Sequence, residues 1–334
     1  MIESIGNFNI VRQDPEMASK KAIRKAKRAA NFEFRKQNTI SGYIAGVPDT
    51  VISAVALFGL KKPATNMMQK LSSNLTAEEN KTVINSFEKA FKESSLPKMG
   101  TEIIRVGKDS GELTFNPIKS ITDKIKNPKL KNFAEKNFEH LTMVRNGDTA
   151  FFSPLENKII LPENKLSLTS FHEMGRALNC NESKIWSTVQ CLRWPVKLLA
   201  PVVASAALFM NKKEETPDHK LTMRDKAING FRTAAPYMVA AACLPEVAEE
   251  IIASIKGHKI AKSVLPKNLT KQVVKSNAIN AVTYIVSAAA LALGTAIGVK
   301  VKDKVMARRM EKVENAQTDE TQKQLIRDCK NKKL

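Results

Sequence analysis

Ser170-Phe171-His172-Glu173-Met174-Gly175-Arg176-Ala177-Leu178-Asn179 is the stretch from which the rest of the chain can be read. In a His-Glu-x-x-His helix the two histidines lie four residues apart on one face and share a zinc ion, with the glutamate beside the bound water as general base. His172 and Glu173 occupy the first two places, but the position four after His172 is Arg176. A guanidinium keeps its proton at any usable pH and has no lone pair to offer, so it repels a metal ion rather than ligating it. The stretch therefore predicts a helix carrying half of a zinc site, with a fixed cation where the other half belongs. Gly175 and Ala177 are small enough to let that helix pack closely on a neighbour.

The residues around it predict an α+β unit over 61–192. Thr76-Ala77-Glu78-Glu79 is a capping box and opens a helix through about Phe91. Thr101–Val106 alternates like a strand, and residues 117–139 are basic with helical spacing. Leu141–Arg145, the pair Asn146-Gly147, and Thr149–Phe152 together predict a β-hairpin, because Asn-Gly supplies the left-handed turn that a two-residue loop requires. Asn157–Pro162 reads as another strand leading into the His172 helix, with an edge to which an extended peptide could add.

On both sides of this unit the chain is apolar and basic. Asp14-Pro15-Glu16 starts a helix bearing Lys20, Lys21, Arg24, Lys25, Lys27, Arg28, Arg35 and Lys36. An apolar stretch, Ile40–Leu60, follows, interrupted at Pro48-Asp49 and containing the G-x-x-x-G pair Gly42 and Gly46. Downstream lie the apolar segments Trp194–Met210, Thr233–Pro245 and Ser276–Val299, the last 24 uncharged residues long and holding a second pair, Gly294 and Gly298. About 20 apolar residues suffice to cross a bilayer. Basic runs at 211–226 and 300–334 flank them, and two crossings between these runs satisfy the positive-inside rule.

The net charge of +21 on 334 residues calls for an anionic partner. Aromatics make up only 6%, and the basic residues flank apolar segments, so a membrane with anionic lipid is favoured over nucleic acid. Cys180, Cys191, Cys243 and Cys329 show no C-x-x-C spacing and are expected to be packing thiols.

Phe171-His172-Glu173-Met174-Gly175-Arg176-Ala177-Leu178 resembles the His-Glu-x-Gly-His-Ala motif of bacterial membrane zinc metallopeptidases. Two later stretches follow that family's order: Leu244-Pro245 with Glu250-Ile251-Ile252-Ala253-Ser254, and Ala281-Val282-Thr283-Tyr284-Ile285-Val286. The resemblance covers roughly residues 149–300. It implies a gluzincin-like frame in which His172 is the first zinc ligand, Glu173 the general base, and Glu250, or Glu249 in the other register, the third ligand. It departs at Arg176, which stands against zinc as a cofactor. His140, His219 and His258 are the remaining histidines, and His258 shares a helix face with Glu250 only if the helix continues past Gly257.

The expected fold is mostly α with a small antiparallel β part: a membrane-associated, zincin-like fold with several apolar helices. Residues 1–60 form a basic helix and apolar anchor, 61–192 the α+β domain, 193–300 the apolar helices with the carboxylate-bearing helix, and 301–334 a charged tail. The expected function is that of a catalytically degenerate, peptide-binding peptidase homologue in the bacterial inner membrane, with membrane-associated peptides or proteins as partners. The alternatives are an active zinc endopeptidase with an unusual ligand set and a basic membrane scaffold. With no metal to neutralise them, buried carboxylates need another cation, so Arg176 is expected to bridge to Glu250, or to Glu249 or Glu246.

Overall fold

A computed structural model of the chain describes residues 20–55, 61–107, 126–129, 131, 144, 149–163, 165–215 and 220–315. The elements in order are α1 (Lys20–Ala54), α2 (Lys61–Ser73), α3 (Ala77–Glu93), β1 (Glu102–Val106), β2 (Phe151–Ser153), β3 (Lys158–Pro162), α4 (Ser170–Glu182), α5 (Lys184–Lys197), α6 (Leu199–Phe209), α7 (Met223–Val264) and α8 (Lys267–Asn315). The protein is mostly helical with one small sheet.

That sheet is mixed, not antiparallel as expected. Its order is β1-β3-β2, with β1 parallel to β3 and β2 antiparallel to it. The chain between β1 and β3 is long enough to return in the same direction, which a parallel pair requires. The described hairpin joins β2 to β3. Phe151–Ser153 pairs with Lys158–Ile160, closing a loop at 154–157 in which Asn157 takes a left-handed φ of 52°. Asparagine tolerates that conformation better than most residues. The Asn146-Gly147 turn lies outside the described residues, and within Leu141–Arg145 only Val144 is described, as helical. As the middle strand, β3 has both edges occupied and cannot be the edge that accepts a peptide.

The chain packs as two compact units, one of Val51–Val202 with Tyr237–Ala292, the other of Met1–Thr50, Val203–Pro236 and Leu293–Leu334. In the first, α3 begins at the expected capping box, where Thr76 Oγ1 accepts from Glu79 N at 3.1 Å and Glu79 Oε2 accepts from Thr76 N at 3.0 Å. Val83, Phe87 and Ala90 lie on one face of α3 and are buried with Phe152, Ile159, Leu161, Phe171 and Met174. Phe87 meets Phe171 edge to face at 5.5 Å between ring centres. Strand β3 alternates, with Ile159 and Leu161 entering this core and Ile160 joining Val106 and Val144 in another. Ala261, Leu265, Leu269 and Val273 complete the larger core, so the short link between α7 and α8 is tied into it.

In the second unit α1 runs on through Pro48 to Ala54, and the expected interruption does not end the helix. One proline removes one hydrogen bond and kinks a helix without necessarily stopping it. A Cβ on Gly298 would approach the Ala45 carbonyl oxygen to 3.2 Å, so this glycine sets how closely α1 and α8 can meet. In the other G-x-x-x-G pair, Gly42 lies against Phe209 while Gly46 faces open space. Lys302 is 1% exposed and donates to Asn38 and Asn211. Helix α8 continues without a break from the apolar segment into the charged residues up to Asn315. Cys243 is buried and Cys180 half-buried, but Cys191 is exposed, so the expectation of a packing thiol fails there. The helix start at Asp14, the basic run 117–139 apart from a few residues, His140, His219 and Cys329 lie outside the described residues.

Candidate functional site

Helix α4 is buried along almost its whole first two turns. Phe171, Met174 and Ala177 point into the core. The other face carries His172, Glu173 and Arg176 toward α7. Close approach is possible because of two glycines. A Cβ on Gly175 would meet the Ala253 carbonyl oxygen at 2.3 Å, and one on Gly257 would meet the Phe171 carbonyl oxygen at 2.5 Å. The far end of α4 is anchored by Asn181, whose Nδ2 donates to Asn157 Oδ1 at 2.9 Å.

Arg176 occupies the centre of the site. Its Nε donates to Glu249 Oε1 at 3.1 Å, its Nη1 to Glu173 Oε2 at 3.0 Å and Oε1 at 3.3 Å, and its Nη2 to Glu250 Oε1. A second guanidinium supports it from α5, with Arg193 Nη1 at 2.9 Å from Glu249 Oε2 and 3.5 Å from Glu250 Oε1. His172 Nε2 lies 3.1 Å from Glu250 Oε2, off line for a hydrogen bond, and its Nδ1 is 3.1 Å from Ser254 Oγ. Glu250 Oε2 also accepts from Asn280 Nδ2 at 3.3 Å. Glu173 Oε2 accepts the Phe152 backbone N–H at 2.8 Å, which ties α4 to the outer strand β2.

His172, Glu173, Arg176, Glu249 and Glu250 are thus brought together, and the expected bridge from Arg176 reaches both Glu250 and Glu249. Glu246 is not part of the cluster and pairs instead with Lys197 at 2.5 Å. Helix α7 does continue past Gly257, so His258 lies two turns beyond Glu250, about 12 Å along the axis. Among the described residues it makes no hydrogen bond to the cluster.

Three carboxylates face two guanidinium groups in a site whose glutamates are at most 5% exposed. Burial raises the Glu173 carboxyl above its ordinary pKa, and Arg176 and then His172 recover only part of that. Burial alone would lower the pKa of Arg176, but Glu173, Glu250 and Glu249 reverse this and hold it well above its ordinary value. The guanidinium is permanently charged.

The residues do not fit a zinc ion. The guanidinium fills the place between the α4 and α7 side chains, and its bond to Glu250 Oε1 uses an oxygen that a metal would need. Among the described residues only one imidazole faces the site. A divalent ion would sit beside a fixed positive charge, with one imidazole and three carboxylates that Arg176 already engages, and so without the three free protein ligands of a catalytic zinc centre. Among the described residues no group of three His, Cys, Asp or Glu side chains is arranged to hold a metal.

Comparison of the chain with protein-family models, curated proteins and solved structures finds no match. Reading the sequence missed Arg193, Ser254, Asn280 and the Phe152 amide. Ser254 had a signal, lying four residues after Glu250 on the same helix face. Arg193 abuts the Trp194–Met210 segment and looks like its flank. Asn280 and a backbone amide carry no local signal.

Proposed function

We propose that this chain is a membrane zinc-peptidase-like protein that neither binds zinc at this site nor hydrolyses peptides, and that it holds membrane-associated peptides or proteins on a zincin-like frame. The observation that carries the reading is the position of Arg176, a permanent cation between the would-be ligand helix and the Glu249–Glu250 helix. It supplies the charge that the buried carboxylates require, and it leaves Glu173 engaged with Phe152 N–H and Arg176 rather than free to activate water. Peptide holding is what the family resemblance implies for a chain that keeps this frame without the metal; it does not need strand addition at β2, whose Phe152 N–H is already taken by Glu173. The expected setting is a bacterial inner membrane with anionic lipid. One helix, α8, is long and apolar enough to cross it.

The test is zinc content and peptidase activity of the purified, detergent-solubilised protein. The expected result is no stoichiometric zinc and no cleavage of a casein-type substrate. Cleavage abolished both by a chelator and by Glu173→Gln would overturn the reading and establish an active endopeptidase with an unusual ligand set.

A further inference from the structure

Between Lys226 and Lys256, α7 carries four charged residues: Arg232, Glu246, Glu249 and Glu250. Counted by composition, they disqualify the helix as a bilayer span, and among the described residues only α8 passes unbroken. Yet none of the four lies on the exposed side of α7. Arg232 is 3% exposed and donates to the Ala207 carbonyl oxygen at 3.3 Å and to Asp303 at 2.5 Å. Glu246 is held by Lys197, while Glu249 and Glu250 belong to the Arg176 cluster.

From Thr233 to Ile255 the exposed residues are Thr233, Tyr237, Met238, Ala241, Leu244 and Ile255, with half-buried Ala248 and Ile251 continuing the same face between the last two. Tyr237 is 76% and Leu244 61% exposed. Large apolar side chains so open to solvent mark a surface that another apolar phase covers. From Tyr237 to Ile255 the helix rises about 27 Å, close to the thickness of a hydrocarbon core. Exposed lysines bound the stripe, Lys226 before it and Lys259 after it. Helix α8 has the same layout. Between exposed Lys275 and Lys300 its exposed side chains include Ala278, Val282, Ile285, Val286 and Leu293, all uncharged.

We infer that α7 crosses the bilayer alongside α8, with Tyr237, Ala241, Leu244 and Ile255 against lipid acyl chains and its glutamates turned toward the protein. The occupant of this face is a bilayer containing anionic lipid, because the exposed lysines at both ends of both stripes, Lys226, Lys259, Lys275 and Lys300, complement anionic headgroups. Glutamates at membrane depth are tolerated when they face inward and are paired. Here Arg176, Arg193 and Lys197 pair them. The inference rests on the membrane reading above.

The experiment uses the full chain with its four native cysteines replaced and with single cysteines introduced by Tyr237→Cys, Leu244→Cys, Val282→Cys and Leu155→Cys. Each carries a bimane label and is reconstituted in vesicles of phosphatidylcholine with phosphatidylglycerol. Leu155, 89% exposed at the turn between β2 and β3, is the aqueous control. The expected result is loss of emission at 237, 244 and 282 to lipids with brominated chains and no loss there to aqueous iodide, with the reverse at 155. Lipid quenching at 282 but iodide quenching at both 237 and 244 would overturn the α7 span and leave the membrane reading standing. Iodide quenching at all four sites would overturn both. Shielding of 237 and 244 from both quenchers would mean that protein, such as a second copy of the chain, covers this face, and would also overturn the inference.

Discussion

Gly175 and Gly257 face each other across the crossing of α4 and α7, and a Cβ on Gly175 would lie 2.8 Å from the backbone nitrogen of Gly257. This contact brings the backbones close enough for Arg176 to reach Glu249 and Glu250. The obstructing atoms on both sides are backbone, so they cannot swing aside. Gly175→Ala and Gly257→Ala are each expected to destabilise the protein by about 1–3 kcal/mol, the usual cost of overpacking. Thermal unfolding in detergent checks this, and an unchanged midpoint for both variants would show that the crossing is looser than described.

Removing the guanidinium leaves Glu249 and Glu250 buried, with Arg193 the one remaining guanidinium partner among the described residues. Arg176→Ala is therefore expected to cost about 3–5 kcal/mol, as for breaking a buried ion pair from one side. Arg176→Lys should recover only part of this, because an ammonium cannot make the planar, divergent contacts to three carboxylates. Denaturant titration of the three proteins gives the order. Equal stability of the Lys variant and the parent would mean that charge alone matters.

Arg176→His restores an imidazole four residues after His172. The variant is expected to be less stable than the parent without metal and to regain stability when zinc is added, through binding to the folded state. The melting temperature with and without zinc is the readout. A zinc effect of the same size on the unaltered chain would contradict the misfit argued for the site.

Glu173 gives a pH dependence whose sign can be worked out. Its pKa is raised in the folded chain by burial, so folding takes up a proton there. The stability from this group is full below the ordinary carboxylate range and is lost as pH rises through the raised value. Glu173→Gln keeps an acceptor for Phe152 N–H and Arg176 but carries no charge. Across that window the parent should lose stability with rising pH relative to the variant, and at neutral pH the variant should be at least as stable. A variant clearly less stable at neutral pH would show that Glu173 is needed as an anion.

The protein is expected to remain in the membrane pellet after high-salt and carbonate washes. Electrostatic attachment alone is screened by salt. Release by salt would leave the apolar sides of α7 and α8 without their partner.

Much of the cluster was legible because it is written in local spacing. His172, Glu173 and Arg176 fall within two turns, and Glu249 and Glu250 follow an apolar segment where a charge demands a partner. The capping box at Thr76 was legible for the same reason, since its bonds join residues three apart. What could not be read depends on distant partners. The parallel pairing of β1 with β3, the second guanidinium at Arg193 and the Asn280 contact each join residues far apart in the chain. The Asn146-Gly147 signal falls outside the described residues, while the pairing of β2 with β3, which offers Ile159 and Ile160 to two cores at once, follows the turn at 154–157.

The place of Arg176 also has a consequence for supply. A protein clamped by a metal ion gains stability in proportion to the logarithm of free metal concentration, and loses it when a chelator removes the ion. Here the clamping cation is encoded in the chain and synthesised with it, at fixed stoichiometry and without any dissociation equilibrium. The joint between α4 and α7 is therefore indifferent to metal starvation, and closing it requires no metal-delivery step.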